Sequence, residues 1–287
     1  MSILPPDATE ASRVRYQLAS ELAQACPREL AQEIALTGSV SRGVADGDSD
    51  IELNFWTDQI PPGSARERWL RDMGADPLVV DAMPGADGTA WVLCFVRGVQ
   101  IEAGWQSIEQ QRTLVGDLAN GSILDHERLI VAETLRAGIS LRSVGLLGEW
   151  QAELAEYPPT LADRLVEQAV ERWSWPLLHR ALAARGESLS VTRHLLGDAH
   201  AVLRILFALN RQWEPDWKWL RHRTGELTIT PERLADRIEE IFLTADLVQA
   251  VDLCITLVLD TLRLLPPDDK SVHAREIVTD CLRNPGR

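Results

Sequence analysis

The stretch LTGSVSRGVADGDSDIELNFW, residues 36–56, sets a Gly-Ser pair, an Arg-Gly pair and four acids just ahead of an alternating apolar run. A plain turn needs far less charge and flexibility. The stretch reads as strand, tight turn, short helix, strand. Gly38 lets the backbone approach a ligand with no Cβ in the way. Ser39 adds a hydroxyl and a backbone N–H, the residues after it can open a helix whose amides suit a phosphate, and Arg42 adds positive charge. Ile51 to Trp56 alternates as a strand does, so Asp50 and Glu52 leave one face while Ile51 and Leu53 point to the core. Two adjacent carboxylates repel unless a cation lies between them, and magnesium, which takes oxygen ligands and shares them with phosphates, fits. Taken singly, each feature has a plainer reading: a Gly-Ser pair is common, an Asp-x-Glu strand face is often only solvated, and Asp46 and Asp48 suit a turn.

Outward from this stretch, TAWVLCFVRGVQIEAGW (residues 89–105) predicts a β-hairpin turning at Arg97-Gly98. In its second arm Val99, Ile101 and Ala103 share one face, Gln100 and Glu102 the other. If that arm lies beside the Ile51–Trp56 strand, Glu102 joins Asp50 and Glu52 as a third carboxylate. A phosphate cradle beside such a trio is an assembly for phosphoryl or nucleotidyl transfer. Upstream, Ala11 to Ile34 has helical spacing broken at Pro27, and Ile34-Ala35-Leu36 is a short apolar run ending at Gly38. Ala65 to Met73 predicts a short helix, and Ile139 to Arg142 an extended segment.

Beyond Tyr157-Pro158-Pro159 the texture changes. Helical runs are expected over Leu161–Ala184, Val191–Trp213, Pro231–Phe242 and Ala245–Leu265, the pattern of an antiparallel bundle. The expected fold is α+β: a mixed-sheet domain over 1–157, then a helical domain over 158–287. The tryptophans Trp173, Trp175, Trp213, Trp217 and Trp219 either pack the helical core or wall an acceptor pocket. The acids Glu149, Glu153, Glu156, Asp163, Glu167 and Glu171 read as a solvated face, or as contacts for acceptor amines.

The chain has 287 residues, 45% hydrophobic and 25% charged, in the range of water-soluble globular proteins. No apolar run reaches membrane-spanning length. The start, MSILPPDATE, lacks the basic and apolar regions of a secretory signal, so a cytoplasmic location is expected. A net charge of −14 repels phosphate backbones and argues against duplex nucleic acid; it suits cationic small molecules, or a divalent ion with its anionic ligand. The four cysteines are scattered with no CxxC, and the six histidines form no HxxxH pair, so no transition-metal site is expected.

GSVSRGVADGDSDIEL, residues 38–53, resembles the signature of the polymerase-beta-like nucleotidyltransferase superfamily: hydrophobic-Gly-Ser, a spacer, then acid-hydrophobic-acid. It is most similar to the aminoglycoside and lincosamide nucleotidyltransferase branch, antibiotic-modifying enzymes of about this length with a C-terminal helical domain. The resemblance implies an active site in the cleft between the two domains. It implies that Gly38 and Ser39 hold the nucleotide's β- and γ-phosphates, that Asp50 and Glu52 ligate magnesium, with two ions expected at the site, and that Glu102 is the third acid and general base on the acceptor hydroxyl. Glu52 departs from the more usual Asp. The run LRILFALNRQWEPDWKWL, residues 203–220, resembles the segment whose lysine reaches the triphosphate, a role that falls to Lys218; Lys218 and Lys270 are the only lysines in an arginine-rich chain. Arg204 and Arg211 are further candidates for phosphate contact.

The expected activity is magnesium-dependent transfer of AMP from ATP to a hydroxyl of a small cationic acceptor, an aminoglycoside-like or lincosamide-like antibiotic. Two alternatives stand beside it: adenylylation of a protein, as in antitoxin-like enzymes, and a non-catalytic nucleotide-binding protein. Base preference, acceptor and oligomeric state have no motif.

Overall fold

Thr9 opens the first helix. In the computed structural model, which describes residues 4–175 and 179–283, its side chain accepts a hydrogen bond from Ser12 N at 3.1 Å, and helix α1 (Glu10–Ala25) follows. The chain then divides into two units. One takes the residues up to Asn120 together with Val131–Glu156, the other Gly121–Ile130 together with the chain from Tyr157 on.

The first unit is built on a six-stranded mixed sheet. Its strands are β1 (Glu33–Thr37), β2 (Ile51–Thr57), β3 (Asp76–Val80), β4 (Ala90–Val96), β5 (Val99–Ser107) and β6 (Ile139–Arg142), in the order β3-β4-β5-β2-β1-β6. β2 and β5 run parallel, and the other pairings are antiparallel. The helices of this part of the chain are α2 (Gly38–Ser41), α3 (Gly63–Asp72), α4 (Ile108–Ala119), α5 (His126–Arg136) and α6 (Leu146–Glu153).

Alternation in β2 sends Ile51, Leu53 and Phe55 into a core shared with Leu18 and Leu22 of α1, Trp69 and Leu70 of α3, and Ile101, Ala103 and Trp105 of β5. Phe55 and Trp105 stack with ring centroids 4.2 Å apart, and Trp105 Nε1 donates to Leu30 O at 3.0 Å. The hairpin turn is Arg97-Gly98, with φ values of 52° and 79°, the left-handed pair a two-residue hairpin loop favours.

One local expectation fails, and one strand goes unforeseen. The helical spacing through Leu30 and Ile34 is not a helix; Ile34 lies in β1, whose five residues are all buried. A strand covered on both faces shows no alternation, so its period is unreadable. β3 was not foreseen. It is an edge strand of five residues, with Pro77 beside a register shift, where a missing N–H is tolerated.

Glu33 explains how α6 is attached. Its fully buried carboxylate accepts from Ser140 Oγ at 2.9 Å and from the backbone N–H groups of Val144, Gly145 and Leu146 at 2.6, 3.2 and 3.3 Å. The acid thereby satisfies the orphan amides that begin α6. Glu33→Ala strands those donors, and a loss of about 3 kcal/mol is expected in urea unfolding at neutral pH.

The second unit contains α7 (Pro159–Glu171), α8 (His179–Ala184), α9 (Ser188–Leu209), α10 (Leu220–Gly225), α11 (Leu234–Leu243), α12 (Leu247–Arg263) and α13 (Asp269–Arg283). The run expected from Leu161 to Ala184 ends as a helix at Glu171; its positions 176–178 lie outside the described residues. The core is carried by α9 and α12, whose Val202, Ile205, Leu206 and Val251, Ile255, Val258, Leu262 recur at helical spacing. Asp246 caps α12, accepting from Val248 N and Gln249 N at 2.9 and 3.2 Å. Buried Asp198 ties α9 to its neighbours, taking Trp173 Nε1 at 3.1 Å, His179 Nε2 at 2.6 Å and Arg172 Nε at 2.5 Å. Among the described residues no helix is long and apolar enough to cross a membrane.

Candidate functional site

The parallel register of β2 and β5 sets Glu52 directly opposite Glu102. Asp50 stands just before β2, two positions ahead of Glu52, while Ile51 and Leu53 are buried. All three acids are half-buried. Gln100 Nε2 donates to Glu102 Oε1 at 3.3 Å. Farther along the same face of β2, Asn54 Nδ2 donates to Thr37 Oγ1 at 2.9 Å. Trp56 then lies edge-on to Trp150 of α6 at 5.0 Å and donates to Gln111 of α4 at 3.2 Å.

β1 delivers the Gly-Ser pair to the same place. Thr37, the last residue of β1, faces Glu52 across the antiparallel ladder. Gly38 follows with φ +72°, a backbone state that side chains disfavour. A Cβ at this position would lie 2.4 Å from Glu52 Oε1, so the glycine backbone and the acid are packed together. Ser39 is partly exposed on the single turn of α2. The following loop is pinned rather than loose. Arg15 donates to the carbonyls of Ser49 and Gly47, each at 2.7 Å, and Asp46 Oδ1 accepts from Ser49 Oγ at 2.9 Å and Asp48 N at 3.0 Å. Asp46 is thus a turn acid.

The arginines named from sequence are already engaged. Arg42 forms an ion pair with Glu133, donating through Nε at 3.1 Å and through Nη2. Arg204 donates to Glu214 Oε1 at 2.9 Å and Gln168 Oε1 at 2.7 Å. Glu133 and Glu214 are both buried, so moving either arginine onto a phosphate would break a buried ion pair. Arg211 donates to Pro159 O at 3.0 Å. Lys218 is exposed, and its backbone N–H is held by Asp216 at 2.8 Å. Lys218 and Arg204 belong to the helical unit, and the three acids with Gly38 and Ser39 to the sheet unit.

One feature of the sheet site escaped sequence reading. Register places Trp91, Leu93 and Phe95 of β4 opposite Gly104, Glu102 and Gln100, and Trp91 lies across Gly104, whose added Cβ would meet its ring at 2.9 Å. Trp91 and Phe95 are 40% and 39% exposed, an apolar strip beside the carboxylates. Alternation along Trp91-Val92-Leu93-Cys94-Phe95 carried no signal, because apolar residues occupy both faces. Among the helical-unit tryptophans, Trp173 and Trp213 are core, while Trp175, Trp217 and Trp219 are exposed. The six acids from Glu149 to Glu171 are all exposed. Burial pushes the thiol of Cys94 up to about 11 and that of Cys26 up to about 12, so neither supplies a thiolate near neutral pH.

Comparison with known proteins finds little. A family model described as a domain of unknown function (DUF4037) matches residues 123–220. No curated protein matches. Among solved structures, the chain is similar to a nucleotidyltransferase-like protein from Exiguobacterium sibiricum 255-15, with a TM-score of 0.40 and 13% identity, over 96% of this chain and 81% of that one. The segment matched by the family model includes His126, His200, Arg204 and Glu214.

Proposed function

We propose that this chain is a nucleotidyltransferase that moves AMP from ATP to a hydroxyl of a small cationic acceptor of aminoglycoside or lincosamide type. The observation that carries the reading is Glu52 set opposite Glu102 in the β2–β5 register and packed against the backbone of a left-handed Gly38, with half-buried Asp50 two residues before it. Three carboxylates make an all-oxygen donor set, which suits a hard cation. Magnesium, held by Asp50, Glu52 and Glu102, would neutralise the triphosphate and lower the pKa of the acceptor hydroxyl.

The chain's own groups account for the rest. Gly38 and Ser39 offer backbone N–H groups and a hydroxyl to the β- and γ-phosphates. Lys218 is the proposed point charge for the triphosphate. Glu102 takes the acceptor's hydroxyl proton. The freed oxygen forms a bond to the α-phosphorus, the bond to the bridging oxygen breaks, and pyrophosphate leaves with that electron pair. The strip of Trp91, Leu93 and Phe95 supplies an apolar surface for the ring system of the acceptor or the base.

The test is pyrophosphate release from ATP and magnesium in the presence of a panel of aminoglycosides and lincosamides. At least one acceptor is expected to raise release about a hundredfold or more over ATP alone, with an acceptor product heavier by one AMP. A flat response across the panel would remove the antibiotic-type acceptor from the proposal.

A further inference from the structure

The helical unit gathers a second set of potential ligands that none of the chemistry above uses. His126 begins α5, His200 lies in the middle of α9, and Glu214 sits in the buried Trp213-Glu214-Pro215 segment after α9. His126 Nδ1 is 2.8 Å from Glu214 Oε2, and His200 Nε2 is 3.7 Å from the same oxygen. All three donor atoms lie within 4.8 Å of one another.

Hydrogen bonding alone leaves this arrangement incomplete. Glu214 is well provided, with Arg204 on Oε1 and His126 on Oε2. His200 Nε2 is buried with no hydrogen-bond partner, although it points at the cluster from just beyond hydrogen-bond range. An orphaned ring nitrogen in such a place is costly unless something else meets it. A tetrahedral ion with bonds of about 2.1 Å holds its ligand atoms about 3.4 Å apart. The 2.8 and 3.7 Å separations bracket that value, and the two ring nitrogens lie within 4.8 Å of each other, so side-chain adjustments of about an ångström would bring all three atoms onto one ion.

The surroundings suit a metal as well. Arg204 fixes the distal carboxylate oxygen, the usual outer-shell support for a ligating acid. The two imidazole rings are 4.5 Å apart at 63°, so their faces do not stack, and the Trp217 ring lies 5.5 and 5.1 Å from them as an apolar wall. Burial alone would push the Glu214 carboxyl up; the His126 hydrogen bond, the nearby His200 ring and the Arg204 charge hold it down, at about 2.

We propose that His126 Nδ1, His200 Nε2 and Glu214 Oε2 form a binding site for a divalent ion of the zinc class, on a different unit from the sheet carboxylates. Two imidazoles and one carboxylate select a borderline ion over magnesium, which prefers oxygen alone. Three protein ligands leave a fourth position for water or for an oxygen of a small ligand.

The untagged full chain, stripped with chelator and desalted, is incubated with zinc chloride alone, passed through gel filtration and analysed for metal. About one zinc per chain is expected, together with a raised Tm, and His126→Ala and His200→Ala are each expected to lower retention by about tenfold or more. Asp50→Asn is expected to retain zinc as the parent does, which separates this site from the sheet site. Cobalt(II) loaded into the parent protein is expected to give the intense visible absorption of a four-coordinate ion. That measurement decides the matter even if the histidine variants do not fold. Zinc-free parent protein, undiminished zinc in the two variants, or only the weak spectrum of six-coordinate cobalt would each overturn the proposal. None of these outcomes depends on nucleotidyl transfer.

Discussion

Asp50→Asn and Glu52→Gln are each expected to lower acceptor-dependent pyrophosphate release by about a thousandfold or more, a change of about 4 kcal/mol in the barrier, with no loss of Tm. The two halves of this result have one cause. Both acids are half-buried and neither belongs to the apolar core beneath β2, so no apolar packing depends on their charge. Glu52 faces Glu102 across the ladder, and neither amide variant disturbs that register or the buried apolar residues, so the melting temperature in the absence of divalent ions should hold. The amide variants keep shape and hydrogen-bonding capacity, so lost turnover reports lost charge. Turnover within about tenfold of the parent would show that the acids are not catalytic.

Gly38→Ala is expected to cost the protein about 1–2 kcal/mol of stability and the reaction about a hundredfold or more. At φ +72° an alanine is strained whatever the space around it. Its Cβ would also lie 2.4, 2.5 and 2.9 Å from Glu52 Oε1, Cδ and Oε2. These atoms are the far end of a flexible side chain, so Glu52 swings aside and the sheet survives. The displaced carboxylate is the one proposed to hold the ion, and activity falls with its position. Gly98→Ala provides the control. Gly98 has a similar φ of +79°, but nothing lies within 4 Å of its added Cβ. It should lose comparable stability and keep full turnover. Equal activity losses in the two variants would mean that backbone strain, and not Glu52, sets the effect.

The parts of the molecule that were legible in sequence are those where periodicity survives burial. β2 alternates because one face packs on α1 and α3 and the other carries polar groups, and the β4–β5 hairpin was readable from Arg97-Gly98. β1 is buried on both faces and shows in sequence only as the short apolar run Ile34-Ala35-Leu36, with no alternation. Edge strand β3 is too short and proline-bearing to show a pattern. For the sheet site, the residue types and the two-residue spacing of Asp50 and Glu52 were visible. The adjacency of β2 and β5 was not, since a parallel pairing is made by a crossover and leaves no local mark. The histidine cluster was invisible for a related reason. His126 and Glu214 are 88 positions apart, and no spacing rule spans that distance.

The second unit draws on a ten-residue piece, Gly121–Ile130, that precedes the last segment of the first unit in the chain. Severing the polypeptide at Tyr157 therefore yields no autonomous helical fragment. It amputates Gly121, whose carbonyl takes Arg164 Nη1 at 2.7 Å, and His126, the partner of Glu214. A truncated product beginning at Tyr157 would carry Glu214 and His200 but lack the third donor. Reconstituting that unit calls for a circularly permuted gene, or for residues 121–130 supplied as a separate peptide.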